Sequence, residues 1–291
     1  MGMLLAQIIL LVPMMRVTGT RFIFKLKLTQ TNKEFIKTFV SYGFPMIGWF
    51  IGNSLLNLVD RYMLGYYHTT QEVGIYTATY SVVSASVGLF CTPLLMAAHP
   101  IIMNVATSSN DEEIQRIVSV FSKVYLLIIF PIFICLTILK GDVTSFLLGV
   151  QYQSGSSILP YMMFGLIMWN FGMYGHKGFE IKNKTKTMLI FVIICVVVNI
   201  VLNIILIPTY SYQGAAIASA ISLTTYPLMV YLFSFRTIKW KLNGRSLINI
   251  LSSSIFAAVL AFFCSNFSRR CSYCKYNNLW VDLFIDLSYH T

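Results

Sequence analysis

Apolar residues come in blocks of about 20, separated by short polar segments. That is the length at which an α-helix crosses a hydrocarbon layer of about 30 Å. Blocks at approximately 38–59, 73–103, 118–139, 156–176, 187–208, 214–235 and 247–265 predict seven full membrane spans. A first block, Met3 to Met15, is apolar but short. It lacks the basic flank and small-residue cleavage site of a signal peptide, and reads as the tail of a span whose beginning is missing. The 73–103 block exceeds a straight crossing, and Pro93 and Pro100 are expected to kink it. Pro45 and Pro131 lie inside other spans, where neighbouring helices can satisfy the freed carbonyls. The expected fold is all-α, a polytopic transmembrane helix bundle. It divides into a partial span and basic loop (1–37), the bundle (38–265), and an irregular Cys- and Tyr-rich tail (266–291) with room for one short further span. Both ends look cut, which suggests a truncated product.

Composition sharpens this picture. Of 291 residues, 57% are hydrophobic and 11% charged, against about 45–50% and about 25% in soluble domains. The net charge of +11 does not point to nucleic acid, because the cations alternate between loops. Segments 16–37, 104–117, 177–186 and 236–246 hold 15 Lys and Arg, while 60–72, 140–155 and 209–213 hold 2. The positive-inside rule therefore places the first set in the cytoplasm, and a cell membrane is the expected location. No nucleotide-binding loop, metalloprotease motif or nucleophile elbow is present, so an enzyme is not expected. Neither a cofactor nor a metal is expected: Cys271 and Cys274 resemble half of a zinc site, and a structural zinc takes four ligands.

Two sets of positions carry the physical argument inside the bundle. Gly214, Ala218 and Ser222 recur every fourth residue, as do Ser84, Gly88 and Thr92. Small residues at this spacing let helix backbones approach closely in lipid, so these are expected packing faces. The second set is polar. Asn199 and Asn203 sit one turn apart on an apolar helix and must face other helices or a wet cavity. Asp60 and Arg61 are expected at the external end of a span, paired with each other or flanking a cavity mouth. Lys123 lies inside the 118–139 span, able to snorkel to the surface or to hold a pyrophosphate. Asp60, Arg61, Lys123, Asn199 and Asn203 are the candidate substrate-pathway residues.

Three stretches carry a resemblance: Asp60-Arg-Tyr-Met-Leu-Gly-Tyr-Tyr with Glu72-Val-Gly-Ile-Tyr; Thr92-Pro-Leu-Leu-Met-Ala-Ala-His-Pro-Ile; and Asn199-Ile-Val-Leu-Asn-Ile-Ile-Leu-Ile-Pro followed by Gly214-Ala-Ala-Ile-Ala-Ser. In order and spacing they resemble the polysaccharide-transporter branch of the multidrug/oligosaccharidyl-lipid/polysaccharide flippase superfamily, over roughly residues 36–240. The resemblance implies two helical lobes around a central cavity, of which this chain would hold mostly the second. It implies translocation of a polyprenyl-diphosphate-linked oligosaccharide repeat unit for surface polysaccharide, with membrane lipids, a polymerase and glycosyltransferases as partners and a homodimer as one way to replace the first lobe. A cation-coupled multidrug exporter of the same superfamily would want a membrane-embedded carboxylate, and the spans as read contain none, since Asp60 and Glu180 fall at span ends. A non-transporting membrane protein is the third alternative.

Overall fold

A computed structural model describes residues 30–108, 110–240, 250, 252–259 and 262, together with Pro13. The chain divides at Phe44–Pro45 into a short unit, Met1–Phe44, and a large one, Pro45–Thr291. Within the described part of the short unit, Phe35 and Phe39 stack one turn apart, with ring centroids 6.5 Å from each other.

Every long element is helical. Helix α1 spans Gln30–Tyr67, α2 Thr70–Ser108 and α3 Asp111–Ile138. A short helix, α4 (Lys140–Leu147), and a 3₁₀ turn, Val150–Ser157, lead into α5, Leu159–Gly175. After α6 (Lys177–Ile181) comes α7, Thr185–Phe233, and a final 3₁₀ turn, Ser234–Arg236. Among the described residues no strand occurs. Among the described residues, three segments are long and apolar enough to cross a membrane: Thr70–Thr107, Asp111–Ile138 and Thr185–Arg236.

Local chemistry explains the boundaries. Asn110 caps α3, its side-chain oxygen accepting from the Glu113 amide at 3.1 Å. Asp111, Glu112 and Glu113 fill the first turn, where carboxylates offset the unpaired amides and the helix dipole. Pro93 and Pro100 both lie within α2, and Pro131 within α3. Helix α7 is two limbs, as the two apolar blocks 187–208 and 214–235 predict. The break falls at Ser211, whose backbone is non-helical (φ 51°, ψ −135°). Segments expected as bare loops hold structure instead: α4 and the 3₁₀ turn occupy 140–157, and α6 begins the basic segment after α5. The expected 247–265 span is helical wherever described.

The core lies where α5 crosses the second limb of α7. A Cβ added at Gly165 would stand 3.0 Å from the Ala220 Cα, and one at Gly172 3.0 Å from the Tyr226 ring. Gly48 and Gly52 of α1 sit equally close to Leu189 and Val192 on the first limb. On α7, Ala218 and Ser222 are buried, and a Cβ at Gly214 would lie 2.4 Å from the Leu206 carbonyl across the break. The face expected on α2 needs correction. Ser84 is half-buried and bonds back to the Ser81 carbonyl, while a Cβ at Gly88 would meet only Thr92 of its own helix, at 3.9 Å. The buried row is Val83, Val87 and Cys91, one position earlier and so about 100° around the helix. Branched side chains, not small ones, fill that seam. Opposite faces expose large apolar side chains such as Leu89, Ile193 and Val197, as lipid-facing helices do.

Candidate functional site

One carboxylate organises the bundle interior. Asp60 lies within α1, seven residues before its end at Tyr67, and is 2% exposed. Helix α2 brings Tyr76, and the two limbs of α7 bring Asn199, Asn203 and Ser219. The Asp60 Oδ1 accepts from the Asn199 amide at 3.0 Å and the Asn203 amide at 2.7 Å. Its Oδ2 accepts from the Tyr76 hydroxyl at 2.6 Å and from the Ser219 hydroxyl. A carboxylate offers about four lone-pair sites, and all four are taken. Asn199 also donates to the Ser222 hydroxyl at 3.3 Å, and Asn203 to the Asn199 oxygen at 3.2 Å. The spacing of Asn199 and Asn203 makes this possible, since residues four apart stack on one helix face. The Asn203 Oδ1 is buried with no partner.

This corrects the expected position of Asp60. It stands inside the bundle, because α1 continues past the end of the apolar block and neutral donors compensate the charge. Hydrogen bonds to a charged group are each worth about 1.5–3 kcal/mol net, which makes burial without a counter-ion tolerable. Arg61 does not pair with it. The guanidinium lies over the Tyr80 ring, 5.0 Å from the centroid, with its Nε buried and unpartnered. Tyr80 in turn donates to Asn57 Oδ1. Among the described residues no cation forms an ion pair with Asp60. Lys123 is half-buried on α3, which supplies none of the four donors. The structure thus joins Asp60, Asn199 and Asn203 and leaves Arg61 and Lys123 outside the network. Tyr76 and Ser219 were not singled out by sequence. Tyr76 was visible only within the Gly-Ile-Tyr motif, and Ser219 only as a small residue.

A second polar network ties α1 to the end of α5 and to the second limb of α7. The Trp49 indole donates to the Tyr226 hydroxyl at 2.9 Å, and His176 Nδ1 lies 3.0 Å from that oxygen. Trp49 stacks on Trp169, with centroids 5.8 Å apart. Lys177 and Glu180 pair at 2.5 Å, both mostly buried. Among the described residues no group of three or more metal-ligating side chains occurs. The Cys271–Cys274 pair lies outside the described residues.

Chemically, the Asp60 cluster fastens α1 to α2 and to both limbs of α7 through one charge. Exchanging a donor for a cation there would release one of four tethers. Ionisable groups inside membrane helix bundles are rare and mark candidate functional sites.

Residues 1–106 match the family model described as polysaccharide biosynthesis protein. The fold is similar to that of the lipid II flippase MurJ in its inward closed conformation, with a TM-score of 0.64 and 20% identity, covering 86% of this chain and 52% of that one. It is also similar to an outward-facing multidrug resistance MATE family transporter of the MOP superfamily, with a TM-score of 0.51 and 18% identity, covering 78% of this chain and 52% of that one. No curated protein matches in sequence. The chain therefore spans about half the length of the structures it matches. The findings agree with the resemblance read from the three motifs: this is a membrane protein whose fold is similar to the MurJ and MATE structures, and its first 106 residues match the polysaccharide biosynthesis model.

Proposed function

We propose that the protein translocates a polyprenyl-diphosphate-linked oligosaccharide repeat unit across the cell membrane for surface polysaccharide synthesis. The observation that carries this is the polysaccharide biosynthesis match over residues 1–106, which covers α1 and nearly all of α2, the helices that frame Asp60. In this reading the sugar and diphosphate cross a polar interior while the lipid tail stays in the bilayer, and rocking of helix bundles alternates access. Asp60, Asn199 and Asn203 hold the packing of the helices bordering the route. Arg61 and Lys123 supply positive charge for the diphosphate. A second copy of the chain completes the cavity, and a polymerase and glycosyltransferases work beside it.

The test is complementation in a strain lacking its own repeat-unit flippase. Surface polymer is expected to return and lipid-linked precursor to fall. Precursor that persists with the protein verified in the membrane would overturn the proposal for that sugar.

One observation favours a second reading, a cation-coupled exporter: Asp60 is the bundle-embedded carboxylate such a mechanism wants. Under that reading expression confers resistance to toxic lipophilic cations, and Asp60→Asn abolishes it.

A further inference from the structure

At the open end of the α7 hairpin the chain forms a groove of about 430 Å³. Its walls are Ile190, Phe191 and Ile194 on the first limb and Met229 and Phe233 on the second; Lys184 and Arg236 stand at its mouth. Lys184 immediately precedes α7 and Arg236 ends the 3₁₀ turn that follows it, so the hairpin brings together two cations 52 positions apart. Their geometry is fixed. The Lys184 ammonium donates to the Arg236 carbonyl at 2.7 Å, and the guanidinium lies 5.2 Å from the Phe233 ring and 5.6 Å from Phe235.

Among the described cations of this basic face, Lys184, Lys186, Arg236 and Lys239 form no ion pair, and of these Lys184 and Arg236 line the groove. Lys177 is neutralised by Glu180 at 2.5 Å and Lys182 by Asp111 at 2.7 Å. Among the described residues no carboxylate pairs with Lys184 or Arg236. Both are exposed, above a groove whose inner wall is an apolar helix with Ile190 and Ile194 open to the surroundings. Two unpaired cations over an apolar slot complement one ligand chemistry: a phosphate monoanion carrying a hydrocarbon chain.

We propose that this groove binds an anionic phospholipid, its phosphate between Lys184 and Arg236 and one acyl chain along Ile190, Phe191, Ile194 and Phe233. Basic pockets between membrane helices on the lysine-rich side bind acidic headgroups. A zwitterionic headgroup would bring its own cation against the two already present. The site is independent of the translocation proposed above, since a chain that moves no sugar would still bind this lipid.

The experiment is native mass spectrometry of the full chain in detergent, titrated separately with dioleoyl phosphatidylglycerol and dioleoyl phosphatidylcholine. Phosphatidylglycerol is expected to be retained in preference to phosphatidylcholine. Lys184→Ala and Arg236→Ala should each weaken its retention roughly fivefold, while Lys182→Ala, which removes a cation already paired with Asp111, should weaken it far less. Ile190→Trp fills the slot without touching charge and should lower retention as well. Equal retention of the two lipids would overturn the proposal, as would insensitivity to both alanine variants. Displacement by glycerol phosphate at equal concentration would also overturn it, since the headgroup alone would then account for binding. If an alanine variant fails to fold, Ile190→Trp and the comparison of two lipids on the unaltered chain still decide the matter.

Discussion

Four neutral donors converge on a single carboxylate at Asp60, and they differ in what each can lose. Tyr76→Phe removes one hydroxyl and leaves three donors in place. It is expected to cost about 1.5–3 kcal/mol. Asp60→Ala strands the Tyr76, Ser219, Asn199 and Asn203 donors together. At roughly 1–3 kcal/mol for each buried donor left unpaired, the loss should exceed that of Tyr76→Phe. Thermal unfolding in detergent, followed by tryptophan fluorescence, checks the order: unaltered chain, then Tyr76→Phe, then Asp60→Ala. Equal melting temperatures would mean the network holds nothing together. At this scale the amides were legible in sequence, because two asparagines one turn apart in an apolar helix must find partners. Asp60 was legible as chemistry but not as position. Hydropathy ends a span at the first charge, and only the donors on α2 and α7 reveal that the helix carries that charge inside.

Helix crossings decide the element scale. Gly165 faces backbone, so Gly165→Val must push α5 away from the second limb of α7; overpacking of this kind costs about 1–3 kcal/mol. Gly88 faces open space, and Gly88→Ala should be neutral or slightly stabilising, since alanine favours a helix by up to about 1 kcal/mol over glycine. Melting of the two variants side by side checks both, and a destabilised Gly88→Ala would show that another helix covers this face. The pair also marks what a sequence pattern can say. A row of small residues becomes a seam only where another helix lies against it. On α7 the neighbour is there; on α2 the neighbours lie a third of a turn away, over Val83 and Val87. Gly48–Gly52 on α1 carries the same fourfold spacing and is a true close approach, to Leu189 and Val192. Nothing in the spacing alone distinguishes it from Ser84–Gly88.

For the whole molecule, the alternation of loop charge predicts which side each helix end faces. With the native cysteines replaced, Asn183→Cys is expected to react with an impermeant maleimide only after the membrane is opened. Tyr210→Cys, at the tip of the α7 hairpin, should react in intact cells. The reverse result would invert the topology. The all-α character and the two apolar limbs of α7 were readable from block length, and the joining of α1 to α7 was not, because it depends on partners 139 to 159 residues apart.

That separation bears on how the protein is made. Helix α1 leaves the ribosome with its carboxylate seven residues before its end, and a charged residue in a membrane helix costs up to about 2.5–3.5 kcal/mol on insertion. Tyr76 follows soon after, but Asn203 emerges 143 residues later. At about 5–20 residues per second, the delay is on the order of ten seconds. During it Asp60 is an acidic group without most of its ligands. Helix α1 therefore gains three of the four donors to its carboxylate only once the late-made hairpin is in place.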